Sequence, residues 1–213
     1  METRSREIKS SQQPLVSMRV TPGHFATRNS HINFYVDMTE IKCEHSTARL
    51  AAQVLADQYA QLTPVDTIVC LDGTEVLAAF LAAALSDGGN RAMNAGSHIH
   101  ILTPEINTSG QLMFRDNMQH MIWNRNVLLL VASATTGHTI TQAMECIDYY
   151  NGRISGICAI FSAIPVVRDI PIRAIFSIED VPGYATYSPA DCPDCRAKRK
   201  IDALVNSFGY SRL

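Results

Sequence analysis

The stretch NVLLLVASATTGHT, from Asn126 to Thr139, decides the fold. Its apolar first half is typical of a buried strand, and its second half is a loop of small and hydroxyl-bearing residues. A helix predicted over His138 to Tyr150 follows. A strand, a small-residue loop and a helix in this order indicate a phosphate cradle at the carboxyl end of a parallel strand. The candidate phosphate-binding residues are Ser133, Ala134, Thr135, Thr136, Gly137, His138 and Thr139.

The rest of the chain alternates predicted strands with predicted helices, which indicates an α/β fold with a parallel sheet flanked by helices. Ligands bind beyond the carboxyl ends of the strands in such sheets. The further predicted strands are Thr67 to Leu71, Ser97 to Leu102, Ile154 to Phe161 and Arg173 to Ile178. The other predicted helices are Glu44 to Leu62 and Glu75 to Leu85, the second ended by Gly88-Gly89.

Composition limits the class of protein. The 213 residues are 46% hydrophobic, which is enough for one α/β domain with a small appendage. The net charge of -2 argues against a nucleic-acid partner and against a membrane-surface role. No apolar run approaches the roughly 20 residues that span a bilayer, and the polar start is not a secretory signal. We therefore expect a cytoplasmic protein with reduced cysteines.

Three segments together resemble the type I phosphoribosyltransferases, most closely the orotate phosphoribosyltransferases. Residues 23–39 resemble the hood of that family, residues 68–78 its pyrophosphate loop, and residues 127–139 its binding motif for the sugar-phosphate donor PRPP. The resemblance extends from about Pro22 to Tyr187. It implies a five-stranded parallel core, a small N-terminal hood and a homodimer. It also implies transfer of ribose 5-phosphate from PRPP to a nucleobase, with Mg²⁺ bound together with PRPP.

The resemblance divides the chain into three parts. Residues 1–13 are predicted to be a disordered polar tail. Residues 14–187 form the phosphoribosyltransferase-like domain, in which residues 14–41 are the hood. Residues 188–213 are a C-terminal extension that carries a CxxC motif and packs on the domain.

The departures from the family pattern fall on its catalytic parts. The family carries an acidic pair just before the phosphate loop, which holds the ribose hydroxyls, whereas this chain has Val131-Ala132. The stretch Thr103 to Gln111 corresponds to a catalytic loop rich in cations, yet it contains none. The pyrophosphate-loop position, Asp72, Gly73, Thr74 and Glu75, is acidic, and Ser162-Ala163 lacks the arginine that would hold an orotate carboxylate.

These departures favour a protein that binds a phosphorylated ribose ligand, either a nucleotide or ribose 5-phosphate, and has lost or strongly reduced transferase activity. The alternative is an active transferase in which Asp72 or Glu75 replaces the missing acids and Arg115 or Arg125 replaces the loop cations. A third hypothesis is a structural protein with an empty crevice.

Two further groups are open to more than one interpretation. Asp72 and Glu75 are candidate catalytic acids, but an acidic residue here is also explained as a cap at the start of a helix. Aromatic residues of the hood are candidates for stacking on a base; they are Phe25, Phe34 and Tyr35.

The pair Cys192 and Cys195 is a weak candidate for a metal site, because zinc needs about four ligands and no second CxxC follows. Cys43 and His45 are the residues that would complete a Cys₃His set. A redox pair is disfavoured, since the motif does not open a helix after a strand. We therefore expect a structural role in the C-terminal extension, with no metal assigned.

Overall fold

The computed structural model describes residues 2–59, 63–87 and 93–213. The predicted helix end at Leu62 and the Gly88-Gly89 turn lie outside these residues. In chain order the strands are β1 (Arg6–Lys9), β2 (Ser17–Ala26), β3 (His31–Asp37), β4 (Thr67–Cys70), β5 (His100–Leu102), β6 (Glu105–Ile106), β7 (Leu112–Met113), β8 (Asn126–Ala134), β9 (Arg153–Ser162), β10 (Val166–Val167), β11 (Ile170–Ser177), β12 (Thr186–Tyr187), β13 (Ala203–Asn206) and β14 (Gly209–Arg212). The helices are α1 (Thr39–Cys43), α2 (His45–Asp57), α3 (Glu75–Ser86), α4 (Asp116–Gln119), α5 (His138–Tyr149) and α6 (Pro193–Arg196).

The core sheet has the order β10-β11-β9-β8-β4-β5. Its strands β11, β9, β8, β4 and β5 are parallel, and only β10 at one edge runs antiparallel. Strand β8 lies in the centre, as its apolar sequence predicts, and it is buried without interruption from Val127 to Ala132. The predicted α/β class with a parallel sheet is confirmed.

Alternation along the strands divides the core into two faces. Ile68, Leu128 and Leu130 point to the face that packs against α2 and α3. Val69 and Leu129, one residue out of step, point to the face that packs against α5. Because side chains in a strand alternate with period two, a strand that is apolar at every position has both faces covered. The helices therefore hold the carboxyl ends of β4 and β8 side by side.

The hood is a second sheet with the order β12-β3-β2-β13-β14, and β1 also pairs with β2. The prediction of a disordered tail over residues 1–13 is wrong for Arg6–Lys9, which pair antiparallel with Ser17–Val20. The backbone N–H of Ser10 also donates to the carbonyl of Val16 and closes the connecting turn. The alternation of this short polar segment is too weak for a strand to be recognised without its partner.

The C-terminal extension joins the hood sheet through β13, which runs parallel to β2 at Phe25 and Ala26. Strand β14 then pairs with β13 at the sheet edge. The remaining hairpin, β6–β7, is separate from both sheets. Among the described residues, no helix is long and apolar enough to cross a membrane.

Candidate functional site

A cleft of about 420 Å³ lies between the hood and the carboxyl ends of the core strands. The hood contributes the β2–β3 turn and the start of α1, and the core contributes the ends of β4 and β8. Residues 205–209 of the C-terminal extension and the tip of the β6–β7 hairpin complete the lining. The cleft thus occupies the crevice that the order of strands predicts for a ligand.

The threonine loop, Ser133–Thr139, forms one wall of the cleft. Five of the seven predicted phosphate-binding residues line it: Ser133, Thr135, Thr136, His138 and Thr139. The other two are buried and shape the turn. Helix α5 starts at the end of this loop, and its first turn contains no acidic residue. Backbone N–H groups at a helix start have no partner within the helix, so this wall is rich in hydrogen-bond donors.

Gly137 makes the sharp turn between β8 and α5. It is the N-cap of α5 with φ of 77°, and no side chain caps the helix there. A Cβ atom at this position would lie 2.9 Å from Cγ2 of Val167 and 3.1 Å from Cδ1 of Ile164. Both the left-handed backbone and the close packing therefore require glycine.

The acidic turn, Leu71–Glu75, follows β4 and forms a second wall. Asp72 has φ of 61° and lines the cleft. The backbone N–H of Ala132, at the end of β8, lies near its carboxylate. Burial raises the pKa of the Asp72 carboxyl above its usual value; the Ala132 N–H and the charge of Lys42 oppose the rise, and Glu75 adds to it.

Helix capping does not explain Asp72. Thr74 is the N-cap of α3, and its hydroxyl donates to the carbonyl of Leu71 at 2.7 Å, so it makes no side-chain cap. Glu75 is exposed in the first turn of α3 and accepts from the Thr103 hydroxyl at 3.0 Å. Among the four residues of the predicted pyrophosphate-loop position, Asp72 is the one that lines the cleft.

The apolar pair before the threonine loop is buried, with Val131 1% and Ala132 2% exposed. Ala132 lines the cleft and offers no side-chain acceptor. The cation-free stretch after β5 forms the β6–β7 hairpin. Its turn is organised by the Asn107 carboxamide oxygen, which accepts from the backbone N–H groups of Ser109 and Gln111. The hairpin places Gly110 and apolar side chains, and no cation, on the cleft.

The cations of the cleft come from the hood and were missed by the sequence analysis. Lys42 is 8% exposed and its Nζ donates to the carbonyl oxygens of Asp72, at 3.1 Å, and Ser207. Arg28, in the β2–β3 turn, also lines the cleft. Arg115 and Arg125, the predicted replacements, are not in the cleft lining, and Arg115 instead pairs with Glu105 at 2.6 Å. In the sequence, Lys42 is a lone basic residue in a short amphipathic segment. Such residues are too common for the pattern to predict that this one lies in the cleft.

One of the three predicted base-side aromatics lines the cleft. Tyr35 does so, next to Tyr210, and burial raises its pKa to about 12, so its hydroxyl stays a hydrogen-bond donor at neutral pH. The prediction for Phe25 is wrong, because its side chain is fully buried in the core. Phe34 instead lies under the guanidinium of Arg6 and outside the cleft lining.

A second group of functional side chains lies in the hood, where β2 and β3 meet their connecting turn. Ligand atoms of His24, His31, Cys192 and Cys195 all lie within 4.8 Å of one another. Cys43 and His45, the residues named from the sequence as able to complete a set with the two cysteines, are not in this cluster. The partners of the cysteines are histidines on β2 and β3.

Comparison with solved structures identifies the fold family. The chain is similar to a phosphoribosyltransferase from Corynebacterium diphtheriae, with a TM-score of 0.53 and 16% identity over 75% of this chain and 90% of that one. The chain has the type I phosphoribosyltransferase fold. Further similar structures are UMP synthase from Leishmania donovani (TM-score 0.53, 13% identity, 76% of this chain and 34% of that one) and orotate phosphoribosyltransferase from Mycobacterium tuberculosis (TM-score 0.51, 14% identity, 70% and 83%).

At identities of 13% to 16%, these similarities establish the fold alone. No protein-family model and no curated protein matches the sequence.

Proposed function

We propose that the chain binds one phosphorylated ribose ligand, either a nucleotide or ribose 5-phosphate, and that its phosphoribosyltransferase activity is lost or strongly reduced. The observation that carries this proposal is the difference between the two turns that border the cleft. The threonine loop offers hydrogen-bond donors to an anion, and the acidic turn offers a carboxylate.

The threonine loop has the chemistry that a phosphate monoester requires. The start of α5 is favourable for an anion because the helix dipole and the free N–H groups both act there. The hydroxyls of Thr135, Thr136 and Thr139 line the same wall. The absence of an acidic residue from the first turn of α5 leaves this end open to a negative charge.

The acidic turn opposes the pyrophosphate group of PRPP. Two like charges at about 4 Å repel each other by roughly 1–4 kcal/mol, depending on screening. The charge of Lys42 offsets part of this repulsion, but its ammonium already donates to two backbone carbonyls and is held away from a departing pyrophosphate. Transfer also requires cations on the departing pyrophosphate, and each lost electrostatic donor costs about 100- to 1,000-fold in rate.

The proposal is tested by separating binding from turnover. Ribose 5-phosphate and the monophosphates of orotidine, uridine, adenosine and guanosine are titrated by calorimetry, with inorganic phosphate as a control. Turnover of PRPP with Mg²⁺ is measured with each corresponding base. We expect a monophosphate to bind and turnover to stay at background. Steady-state transfer to any of these bases contradicts the loss of activity, and failure of every phosphate ligand to bind contradicts the binding site.

One observation favours the alternative, an active transferase with a different acid. The Asp72 carboxylate lies near the backbone N–H of Ala132, so it is beside the position where the resembled family carries its acidic pair. If Asp72 serves this role, Asp72→Asn abolishes turnover while the protein stays folded. Glu75→Gln is the matched control, because Glu75 is bonded to Thr103 outside the cleft lining and its loss leaves turnover unchanged.

A homodimer is a further part of the proposal. Trp123 is 63% exposed and Tyr149 is 82% exposed, and together they line a shallow surface pocket that provides apolar area for a second chain. Sedimentation equilibrium tests this: a dimer is expected, and Trp123→Ser shifts it toward monomer. A wild-type monomer at micromolar concentration contradicts it.

A further inference from the structure

The side-chain cluster beside the β2–β3 turn of the hood brings four metal-binding groups to one point. Nε2 of His24 lies 3.0 Å from Nδ1 of His31. Sγ of Cys195 lies 3.6 Å from Nε2 of His24 and 3.3 Å from Nδ1 of His31, and Sγ of Cys192 lies 3.4 Å from Nε2 of His24. Both cysteines are free thiols. The atoms that converge are therefore two imidazole nitrogens and two sulfurs.

These separations match the edges of a coordination tetrahedron. With Zn–N of about 2.0–2.1 Å and Zn–S of about 2.3 Å, tetrahedral geometry gives edges of about 3.3 Å for N···N, about 3.6 Å for N···S and about 3.8 Å for S···S. The observed N···N and N···S distances of 3.0 to 3.6 Å differ from these by a few tenths of an ångström. Binding therefore requires small movements of side chains that are already oriented.

We propose that His24, His31, Cys192 and Cys195 bind one Zn²⁺ ion in a structural Cys₂His₂ site. A closed set of four protein ligands with no open position is typical of structural zinc. Two thiolates and two neutral imidazoles compensate the charge of the ion, and the two thiol protons leave to solvent when it binds. The softness of sulfur together with the tetrahedral S₂N₂ arrangement favours zinc over magnesium or calcium.

Contacts outside the ligand set hold the histidine that lies at the centre of the cluster. Nδ1 of His24 lies 3.2 Å from the carbonyl oxygen of Arg199, and donation to that oxygen leaves Nε2 unprotonated and directed at the cluster. Asp202 accepts the backbone N–H of His24 at 2.9 Å through one carboxylate oxygen, and its own N–H donates to the carbonyl of His24 at 2.7 Å. His24, His31 and Cys192 are buried, so water competes little for the ion.

The position of the site explains why a metal is useful there. His31 and Cys195 are separated by 164 residues of chain, and the cysteines lie just before β13, which pairs with β2. Strand pairing joins β13 to β2 at two residues, Phe25 and Ala26. An ion bound to both segments attaches the C-terminal extension to the hood and so fixes β13 and β14, which follow it in the chain.

Metal analysis of the purified full-length protein tests the proposal. The reduced protein is supplied with Zn²⁺, dialysed against metal-free buffer and measured by inductively coupled plasma mass spectrometry. One zinc per chain is expected. Replacement by Co²⁺ is expected to give the intense visible bands of a tetrahedral site with thiolate ligands. Metal well below one equivalent, an octahedral Co²⁺ spectrum, or a Cys192–Cys195 disulfide seen as a mass two hydrogens lower overturns the proposal.

Variants assign the ligands. Cys195 lies at the rim of the cluster. The Cys195→Ser variant is expected to weaken zinc binding more than about 100-fold, because loss of a group that is only hydrogen-bonded to a metal ligand already costs about 10- to 100-fold. Cys43→Ser removes an exposed cysteine on α1 and is the control that keeps one zinc. Equal zinc content in both variants contradicts the assignment.

Hydrogen exchange gives a readout that needs no variant. Chelation of the wild-type protein is expected to remove protection from residues 203–212 and to leave β8 protected. No change at residues 203–212 contradicts the anchoring role. None of these measurements uses a phosphate ligand, so the zinc proposal and the proposed function fail independently.

Discussion

Two turns with the same place in the fold differ in what they offer to a ligand. The threonine loop and the acidic turn each connect a central parallel strand to a helix, and both border the cleft. Helix α5 begins at a glycine without a side-chain cap and without an acid in its first turn. Helix α3 begins with Glu75, and the buried carboxylate of Asp72 precedes it. The threonine loop suits an anion, and the acidic turn opposes one.

Backbone geometry alone does not make a phosphate site. Both helices present free N–H groups at their starts, as every helix does. At the acidic turn, Lys42 donates to the Asp72 carbonyl, and the Asp72 carboxylate places a negative charge on the cleft wall. A cleft with one open turn is suited to one phosphate.

The largest effect is expected for Gly137→Ala in the threonine loop. The new Cβ meets Val167 at 2.9 Å in a left-handed backbone, so the loop has to move. A shift of about 1 Å costs roughly 100-fold in a positioned site, and the backbone strain costs about 1–3 kcal/mol of stability. Monophosphate affinity is measured by calorimetry and stability by denaturant unfolding.

Gly183→Ala is the matched control for that variant. Gly183 has a similar φ of 81°, but nothing lies within 4 Å of the added Cβ. It is expected to lose a similar amount of backbone stability and to keep monophosphate affinity. If both variants lose affinity equally, the loss reflects general destabilisation and the threonine loop is not the site.

The next largest effect is expected for Asp72→Asn in the acidic turn. Asparagine tolerates the left-handed backbone and keeps the shape of the side chain with one acceptor oxygen, but it carries no charge. Removal of roughly 1.4 kcal/mol of repulsion raises the affinity for PRPP–Mg²⁺ about tenfold. Affinity for ribose 5-phosphate stays within about twofold. Unchanged or weaker PRPP binding shows that Asp72 does not exclude the pyrophosphate group.

A smaller effect is expected for each hydroxyl of the threonine loop. Thr136→Val and Thr139→Val each remove one donor at constant side-chain shape, which costs about 0.5–1.5 kcal/mol or about 3- to 10-fold in monophosphate affinity. Thr141→Val is the control, because its hydroxyl donates to the Gly137 carbonyl and does not line the cleft. A larger loss in Thr141→Val than in the other two places the ligand elsewhere.

The pH dependence of stability gives the smallest effect. Burial raises the pKa of Asp72, so the folded protein keeps this proton to a higher pH than the unfolded chain, whose value is 3.8. The ionised carboxylate therefore costs stability as pH rises from 3.8 through the raised pKa. Asp72→Asn is expected to match wild type below pH 3.8 and to unfold at a higher temperature at neutral pH. Thermal unfolding of both proteins across this range checks the sign, and a less stable variant at neutral pH contradicts it.

Much of the core was predictable because its signals are local. The apolar run of β8 and the glycine after it identify a buried strand and its turn within a few residues of chain. The absence of an acidic pair at Val131-Ala132 is visible in the sequence. Five side chains of the threonine loop line the cleft, as expected. Strand β8 extends into the part of this stretch that was predicted to be a loop, because residues 133 and 134 pair with residues 161 and 162 of β9.

The hood and the metal cluster depend on contacts that are distant in sequence. Strand β13 pairs with β2, although most of the chain separates the two strands in sequence. Neither the length nor the composition of β13 identifies β2 as its partner. His24 and His31 flank the turn of one hairpin, which was a usable sign of proximity, but nothing local links them to Cys192. Arg28 and Lys42 reach the cleft for the same reason, through the placement of the hood over the core.

Calorimetric titration of the wild-type protein with ribose 5-phosphate, PRPP–Mg²⁺ and pyrophosphate tests the central claim most directly. The account predicts that ribose 5-phosphate binds, that PRPP–Mg²⁺ binds about tenfold or more weakly than ribose 5-phosphate, and that pyrophosphate does not compete. Tighter binding of PRPP–Mg²⁺ than of ribose 5-phosphate contradicts it, because the acidic turn would then accept the pyrophosphate group.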